Sequence, residues 1–365
     1  MAYDDRKPLI DKIQALRGDR ILVAFLNLDR PSNPPIPGMM TQFHADVKES
    51  LFRVLKESVP AGAKVDLYLY TRGGDVNAVW PIVSLLREFD SDFEVLVPFR
   101  CHSGGTLAAL GARRVVLGPL SELSPVDPST GNQFNPVDPS NATARLAISV
   151  EDVRSYRQFV LDQLTDGKAA EPSVLAPFIE KLVATVHPLA LGNVHRVHQQ
   201  IKQLATTLLN LHSIKGRDIP SIVDQLTTQF YSHLHMINRN EALKILGNEH
   251  VEFASPELAD AMDQLLQRYK GDFGLHTPFM LSAHLGDNLE ESVRFVGGVV
   301  ESRSWSYLYA TKAQIRQQSK LPANVQLQIP VGQPVPLIPG LPRDYQWQIT
   351  DQRWVHNLDP QGVTI

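Results

Sequence analysis

The stretch Phe99-Arg100-Cys101-His102-Ser103-Gly104-Gly105-Thr106-Leu107-Ala108-Ala109-Leu110-Gly111-Ala112 decides how the rest of the chain is read. An apolar run ending at Val97 predicts a strand before it, and the small residues after Ser103 predict a helix leaving it. The turn therefore presents a hydroxyl at a helix N-terminus. There the unpaired backbone N–H groups and the helix dipole favour a developing negative charge. Gly104 and Gly105 remove side chains where a substrate would have to approach. Acyl transfer needs a nucleophile beside an oxyanion site, and this arrangement supplies both.

Working outward, Arg20 to Asn27 reads as a buried strand and Pro31 to Pro37 as a proline-rich loop. Gln42 to Ser58 has helical periodicity, with Phe43, Val47, Leu51, Val54 and Leu55 on one face. Val65 to Tyr70 is a strand, Thr71-Arg72-Gly73-Gly74 a turn, Val76 to Phe89 a helix and Arg114 to Leu117 a strand. This alternation predicts an α/β fold, a mostly parallel sheet of repeated β-α-β units. The loop 125–139 carries Pro-Val-Asp-Pro twice without repetition around it, a coincidence of turn chemistry. Helices follow at Val150 to Leu164, Pro172 to Thr185, about Leu189 to His212 and Arg239 to Leu246. From Gly274 the character changes. Three of the four tryptophans, alternating stretches (Trp305 to Tyr309, Val325 to Ile329) and a Pro/Gly-rich span predict a mostly β appendage over 274–365, behind a first domain of 1–273.

A chain of 365 residues, 43% hydrophobic, can bury one or two substantial cores. A net charge of -4 gives no electrostatic reason to expect a nucleic-acid partner. The single cysteine, Cys101, rules out an intrachain disulfide and a cysteine-based zinc site, which suits a reducing compartment. Met1 to Lys12 has no apolar signal-peptide core, and no stretch reaches the roughly 18 apolar residues that span a bilayer. The expectation is a soluble, cytoplasmic protein. Walker, dinucleotide and EF-hand signatures are missing, so no cofactor is expected. His195 and His198 could share a helix face, and His212, His233, His235 and His250 follow. Without Cys, Asp or Glu at matching spacing they suggest no metal site.

Several segments together resemble the serine dehydrogenase proteinase family, a branch of the Clp-type peptidase, signal peptide peptidase and crotonase superfamily. They are the Gly73-Gly74 turn after a strand, the block Ser103-Gly104-Gly105-Thr106-Leu107 with Ala109-Leu110, and Glu122-Leu123-Ser124-Pro125-Val126-Asp127-Pro128. His187-Pro188-Leu189-Ala190-Leu191-Gly192 and Arg239-Asn240-Glu241-Ala242 before Leu246-Gly247 complete the series, which covers roughly Arg20 to Phe253. The resemblance implies a Clp/crotonase-type fold and a serine hydrolase, most simply a peptidase, acting on a peptide or protein substrate as a homo-oligomer. It also implies Ser103 as nucleophile, with Gly73 or Gly74 and Gly104 as oxyanion donors. The family's Thr-Pro-Gly-Gly turn is here Thr71-Arg72-Gly73-Gly74, which puts an arginine beside that site.

The base is less plain. Clp-type peptidases place a histidine on the strand after the nucleophile helix and the triad's acid before the long helix. This chain has Asp127 in the first place and His187 in the second. The roles are open to exchange, His187 as base and Asp127 as its orienting carboxylate, because a triad is defined by geometry rather than chain order. The rival is a serine–lysine dyad as in signal peptide peptidases, with Lys168, or Lys181 behind it. Lys168 sits in Thr165-Asp166-Gly167-Lys168, which reads as an exposed loop. Plainer readings stand beside each: Ser103 as a helix cap, Gly73 and Gly74 as a tight turn, His187 as a helix-start residue, Asp127 as an Asx turn. His102 lines a site more readily than it acts on its own neighbour, and Cys101 suits a packed position. The alternative from another class is a catalytically inactive assembly protein of this fold, binding a partner through 274–365. A crotonase-like acyl-thioester enzyme is a third, without a visible coenzyme A pocket.

Overall fold

The computed structural model describes residues 2–29, 36–126, 129–165, 172–212, 216, 218–230, 232, 235–276, 278–321 and 335–356. The first part of the chain runs α1 (Ala2–Leu16), β1 (Ile21–Asn27), α2 (Val47–Ser58), β2 (Val65–Tyr70), α3 (Val79–Phe89), β3 (Glu94–Val97), β4 (Arg100–Cys101), α4 (Gly104–Leu110), β5 (Arg114–Leu117) and β6 (Glu122–Leu123). Short strands β7 (Ser129–Thr130), β8 (Val137–Asp138), β9 (Asn141–Arg145) and β10 (Ile148–Ser149) lead to α5 (Val150–Thr165), α6 (Pro172–Thr185), α7 (Pro188–Leu209) and α8 (Ile219–Thr228). Then come β11 (Ile237–Asn238), α9 (Arg239–Leu246), β12 (Val251–Phe253), α10 (Pro256–Asp272), α11 (Leu281–Leu285), β13 (Glu290–Glu301), β14 (Ser306–Ser319) and β15 (Arg343–His356).

Among the described residues eight strands form one sheet in the order β12-β5-β3-β2-β1-β13-β14-β15. The first five are parallel and the last three antiparallel, so the expected α/β sheet and the mostly β C-terminal stretch are both present. β13 pairs onto β1, which makes β13, β14 and β15 a continuation of the same sheet.

The parallel strands read as unbroken apolar runs because both faces are covered. Val23, Leu67, Val95 and Val115 stand side by side and pack under α2, α3, α4 and α7. Their neighbours in sequence, Leu22, Tyr68, Leu96 and Val116, turn to the other face, against Ile10 and Ile13 of α1 and Leu258, Met262, Leu265 and Tyr269 of α10. Alternate side chains of a strand point to opposite faces, so one run of residues feeds two cores. The loops after β2 and β3 emerge at the C-terminal ends of parallel strands, where such sheets offer a crevice to ligands.

Candidate active site

The turn after β3 is held from three sides. Thr71 N–H donates to Arg100 O at 2.9 Å and His102 N–H to Thr71 O at 3.0 Å, tying β4 to the end of β2. Ser103 N–H donates to Ser124 Oγ at 2.8 Å, and Thr106 Oγ1 lies 2.9 Å from Cys101 O and 3.0 Å from Ser124 O. A side chain at Gly105 would put its Cβ 2.5 Å from Thr71 Cγ2, so only glycine lets α4 start this close to β2. Under these restraints Ser103, the N-cap of α4, adopts φ 49° and ψ -111°. Asp19 is the other non-glycine residue with positive φ among those described. A non-glycine residue there is strained by about 1–3 kcal/mol, and such strain concentrates at functional turns.

Gly73 (φ 97°) and Gly74 (φ 152°) face this turn. A Cβ on Gly73 would lie 2.6 Å from Ser103 Cβ and 2.8 Å from His102 O; one on Gly104 would lie 3.7 Å from Gly74 N. The two loops are therefore in backbone contact, with Gly104 in the first turn of α4, where N–H groups have no helical acceptor. The two glycines differ in one respect. Gly73 N–H donates to Thr71 Oγ1 at 2.9 Å, and Thr71 Oγ1 in turn donates to Asn27 Oδ1 at 2.6 Å. Gly74 is positioned by Phe43, whose N–H donates to Gly73 O and whose carbonyl accepts from Asp75 N–H, both at 2.8 Å.

Ser103 opens onto a cavity of about 420 Å³. Its lining includes Ser124, the charged side chains of Arg72, Arg100 and Glu122, the histidines His102 and His235, and Met236. Arg72 is ion-paired with Asp29, and Arg100 lies 3.8 Å from Asp29 and 3.4 Å from Glu122. Burial raises the Glu122 carboxyl above the ordinary carboxylate range, and Arg100 and Arg72 oppose that shift. His102 Nε2 stands 3.1 Å from the same carboxylate. Cys101 is buried, which pushes its thiol far above the ordinary range.

Asp127 and Lys168 lie outside the described residues. His187 is exposed at the start of α7, where its Nδ1 accepts from Leu189 N–H at 3.1 Å and its ring stacks on Phe134 at 4.9 Å. His187 is not among the residues that line the cavity. Lys181 is exposed on α6. His198 is buried in α7 while His195 is exposed, and no group of three metal-type ligands occurs among the described residues. Arg100 and Met236 line the cavity without a role read from sequence, and so does His235. Its available signal was Asn238-Arg239-Asn240-Glu241, a helix-start pattern beside it.

Residues 5–144 match the family described as ClpP-like SDH-type serine proteinase. The chain is similar to two proteins of Methanocaldococcus jannaschii described as uncharacterized. One is 35% identical over 83 residues, 23% of this chain and 29% of the relative. The other is 27% identical over 122 residues, 33% of this chain and 41% of the relative. The match thus spans less than half the length of either relative. Among solved structures the chain is similar to the 1510-N membrane-bound stomatin-specific protease in complex with a substrate peptide, at 17% identity over 60% of this chain and 74% of that one, with a TM-score of 0.32. It is also similar to a ClpP1 mutant from Listeria monocytogenes, at 11% identity over 67% and 99%, with a TM-score of 0.35. No helix among the described residues is long and apolar enough to cross a membrane.

Proposed function

We propose that this chain, whose residues 5–144 match the ClpP-like SDH-type serine proteinase family, is a peptidase that cleaves peptide bonds through an acyl-enzyme on Ser103. The observation that carries the reading is the strained Ser103 turn, set against the Gly73-Gly74 loop and open to a cavity. Ser103 Oγ attacks the substrate carbonyl carbon, and the carbonyl π pair moves onto oxygen. The amides of Gly104 and Gly74 hold that oxyanion, and Gly73 shapes the loop, since its own N–H is already engaged by Thr71. Collapse expels the amine, and water then releases the acid product. Residues 1–273 carry the groups named here. Within residues 274–365, β13, β14 and β15 extend the sheet and are a candidate partner surface.

Self-association goes with this reading. The apolar groove between α5 and α6, lined by Tyr156, Val160, Phe178, Ile179 and Leu182, suits burial against a second copy of the chain. Function in the cytoplasm belongs to the same proposal.

A fluorophosphonate probe tests the reading. The expected result is a covalent adduct mapped by mass spectrometry to Ser103, lost in Ser103→Ala. A folded wild-type protein that takes up no probe at Ser103 refutes the peptidase and favours the inactive assembly protein.

A further inference from the structure

We propose that His235 is the general base for Ser103 and that Glu241 is the carboxylate that positions it. The inference rests on the peptidase reading above and names the proton acceptor which that reading leaves open.

The argument begins with a three-stranded sheet, β11-β6-β4, beside the cavity. Its register aligns Arg100 with Glu122 and Asn238, and Cys101 with Leu123 and Ile237. One step further toward the site stand His102, Ser124 and Met236, all three in the cavity wall. One step further again, Ser103 leaves β4 and His235 enters β11, and both line the same cavity. Neighbouring strands lie about 4.8 Å apart, so two strand spacings separate these backbones by about 10 Å. Both side chains line the cavity that spans that gap. Catalytic hydrogen bonds of empty sites are commonly long and tighten with substrate.

The ring is held as a base must be. His235 Nε2 lies 3.1 Å from both carboxylate oxygens of Glu241. A face of the ring stacks on Phe230, centroids 4.5 Å apart and planes 24° from parallel, and Phe230 packs against the main core. Glu241 is itself fixed on the first turn of α9, where Asn238 Oδ1 accepts its backbone N–H at 3.1 Å. That helix end favours a negative charge. In the neutral ring Nε2–H donates to Glu241 and the basic lone pair is on Nδ1. As the Oγ–C bond forms, the Ser103 proton passes to Nδ1, and Glu241 stabilises the imidazolium. The same proton then goes to the departing amine, which restores the neutral ring. His235 next takes a proton from the water that attacks the acyl-enzyme and returns it to Ser103 Oγ as the acid product leaves, which restores the free hydroxyl and the neutral ring.

The test uses the full chain and follows the rate of fluorophosphonate adduct formation at Ser103 against pH in wild type, His235→Gln, Glu241→Gln and Glu241→Asp. Denaturation midpoints show that each variant folds. General-base assistance is worth about 10²–10⁴-fold, so His235→Gln is expected to slow labelling by that range. Glu241→Gln is expected to shift the acid limb of the profile to lower pH, because an imidazolium without its carboxylate loses its proton more easily. Glu241→Asp is expected to restore part of the rate. Arg72, Arg100, His102 and Glu122 also face the cavity and stay constant across the series. Wild-type labelling rates in His235→Gln overturn the proposal while leaving Ser103 as nucleophile. Loss of labelling in His102→Gln or His187→Gln, with His235→Gln unaffected, assigns the base to that histidine and overturns it equally. An unlabelled wild type removes the peptidase reading itself.

Discussion

Gly73→Ala is the sharpest perturbation of the oxyanion geometry, because the backbone there leaves no route around it. At φ 97° an L-residue is already strained, by about 1–3 kcal/mol. The added Cβ would also sit 2.6 Å from Ser103 Cβ, 2.8 Å from His102 O and 3.2 Å from Gly104 N. Two of these atoms belong to backbone stapled into β4 and α4, so the loop must move, at a further cost of about 1–3 kcal/mol. The summed destabilisation of about 2–6 kcal/mol should appear in chemical denaturation. The loop that moves carries Gly74, and the atoms it pushes on carry the nucleophile. Losing one oxyanion donor costs about 10²–10³-fold in rate, and the labelling of Ser103 is expected to fall at least that far. Gly192→Ala provides the contrast. Gly192 lies within α7 with open space around its Cβ position, so alanine is expected to stabilise by about 0.5–1 kcal/mol and leave labelling unchanged. A folded Gly73→Ala protein that labels Ser103 within threefold of wild type would refute the assignment of this loop to the site.

Arg6→Met is expected to destabilise the chain by about 3–5 kcal/mol in chemical denaturation, because it strands a buried carboxylate. Arg6 Nε and Nη2 hold the fully buried Glu301 at 2.7 and 2.8 Å, and Nη1 holds Asp272 at 2.7 Å. Arg6→Met with Glu301→Gln should cost clearly less than the two changes summed. Stability should also fall on acidification through His198. Burial, with help from Lys202, Arg154 and His195, lowers its pKa from 6.5 to about 4. The folded state then binds fewer protons than the unfolded chain, so stability is complete above the ordinary histidine range. It declines as pH drops toward about 4, by about 1.4 kcal/mol per unit at most. His198→Leu should flatten that window in urea midpoints measured against pH, and an unchanged slope would remove His198 as its source.

The parallel half of the fold was legible because each signal agreed with its neighbours. Val65 to Tyr70 and Arg114 to Leu117 are strands over the bounds read from apolar runs, and the helices at 172–185 and 239–246 match theirs. What was missed shares a physical cause. Helix α1 reads as a charged terminal segment, yet its Arg6 is buried with Ile10 and Ile13. An arginine whose partners lie nearly 300 residues away breaks the apolar stripe on which periodicity depends. The last strands hide differently. β13 finds its partner at the edge of β1, and pairing across that separation leaves no local mark.

The site divides along the same line. Ser103 was visible because a strand, a small-residue turn and a helix are contiguous, and the glycines announce backbone contact before any coordinate does. His235 was not visible, because chain distance says nothing about register. Position along the chain points to His187 and Asp127, and neither composition nor order points to His235. Its place follows from two-residue strands, β4, β6 and β11, too short to leave a periodic signal. Yet those six residues set Ser103 and His235 at matching steps of one small sheet. If the base acts from there, the proton-transfer geometry depends on β11 pairing with β6. Ile237→Pro, which breaks that pairing by removing a backbone donor, should then slow Ser103 labelling as much as His235→Gln does, while the nucleophile turn, held by β2 and α4, stays folded.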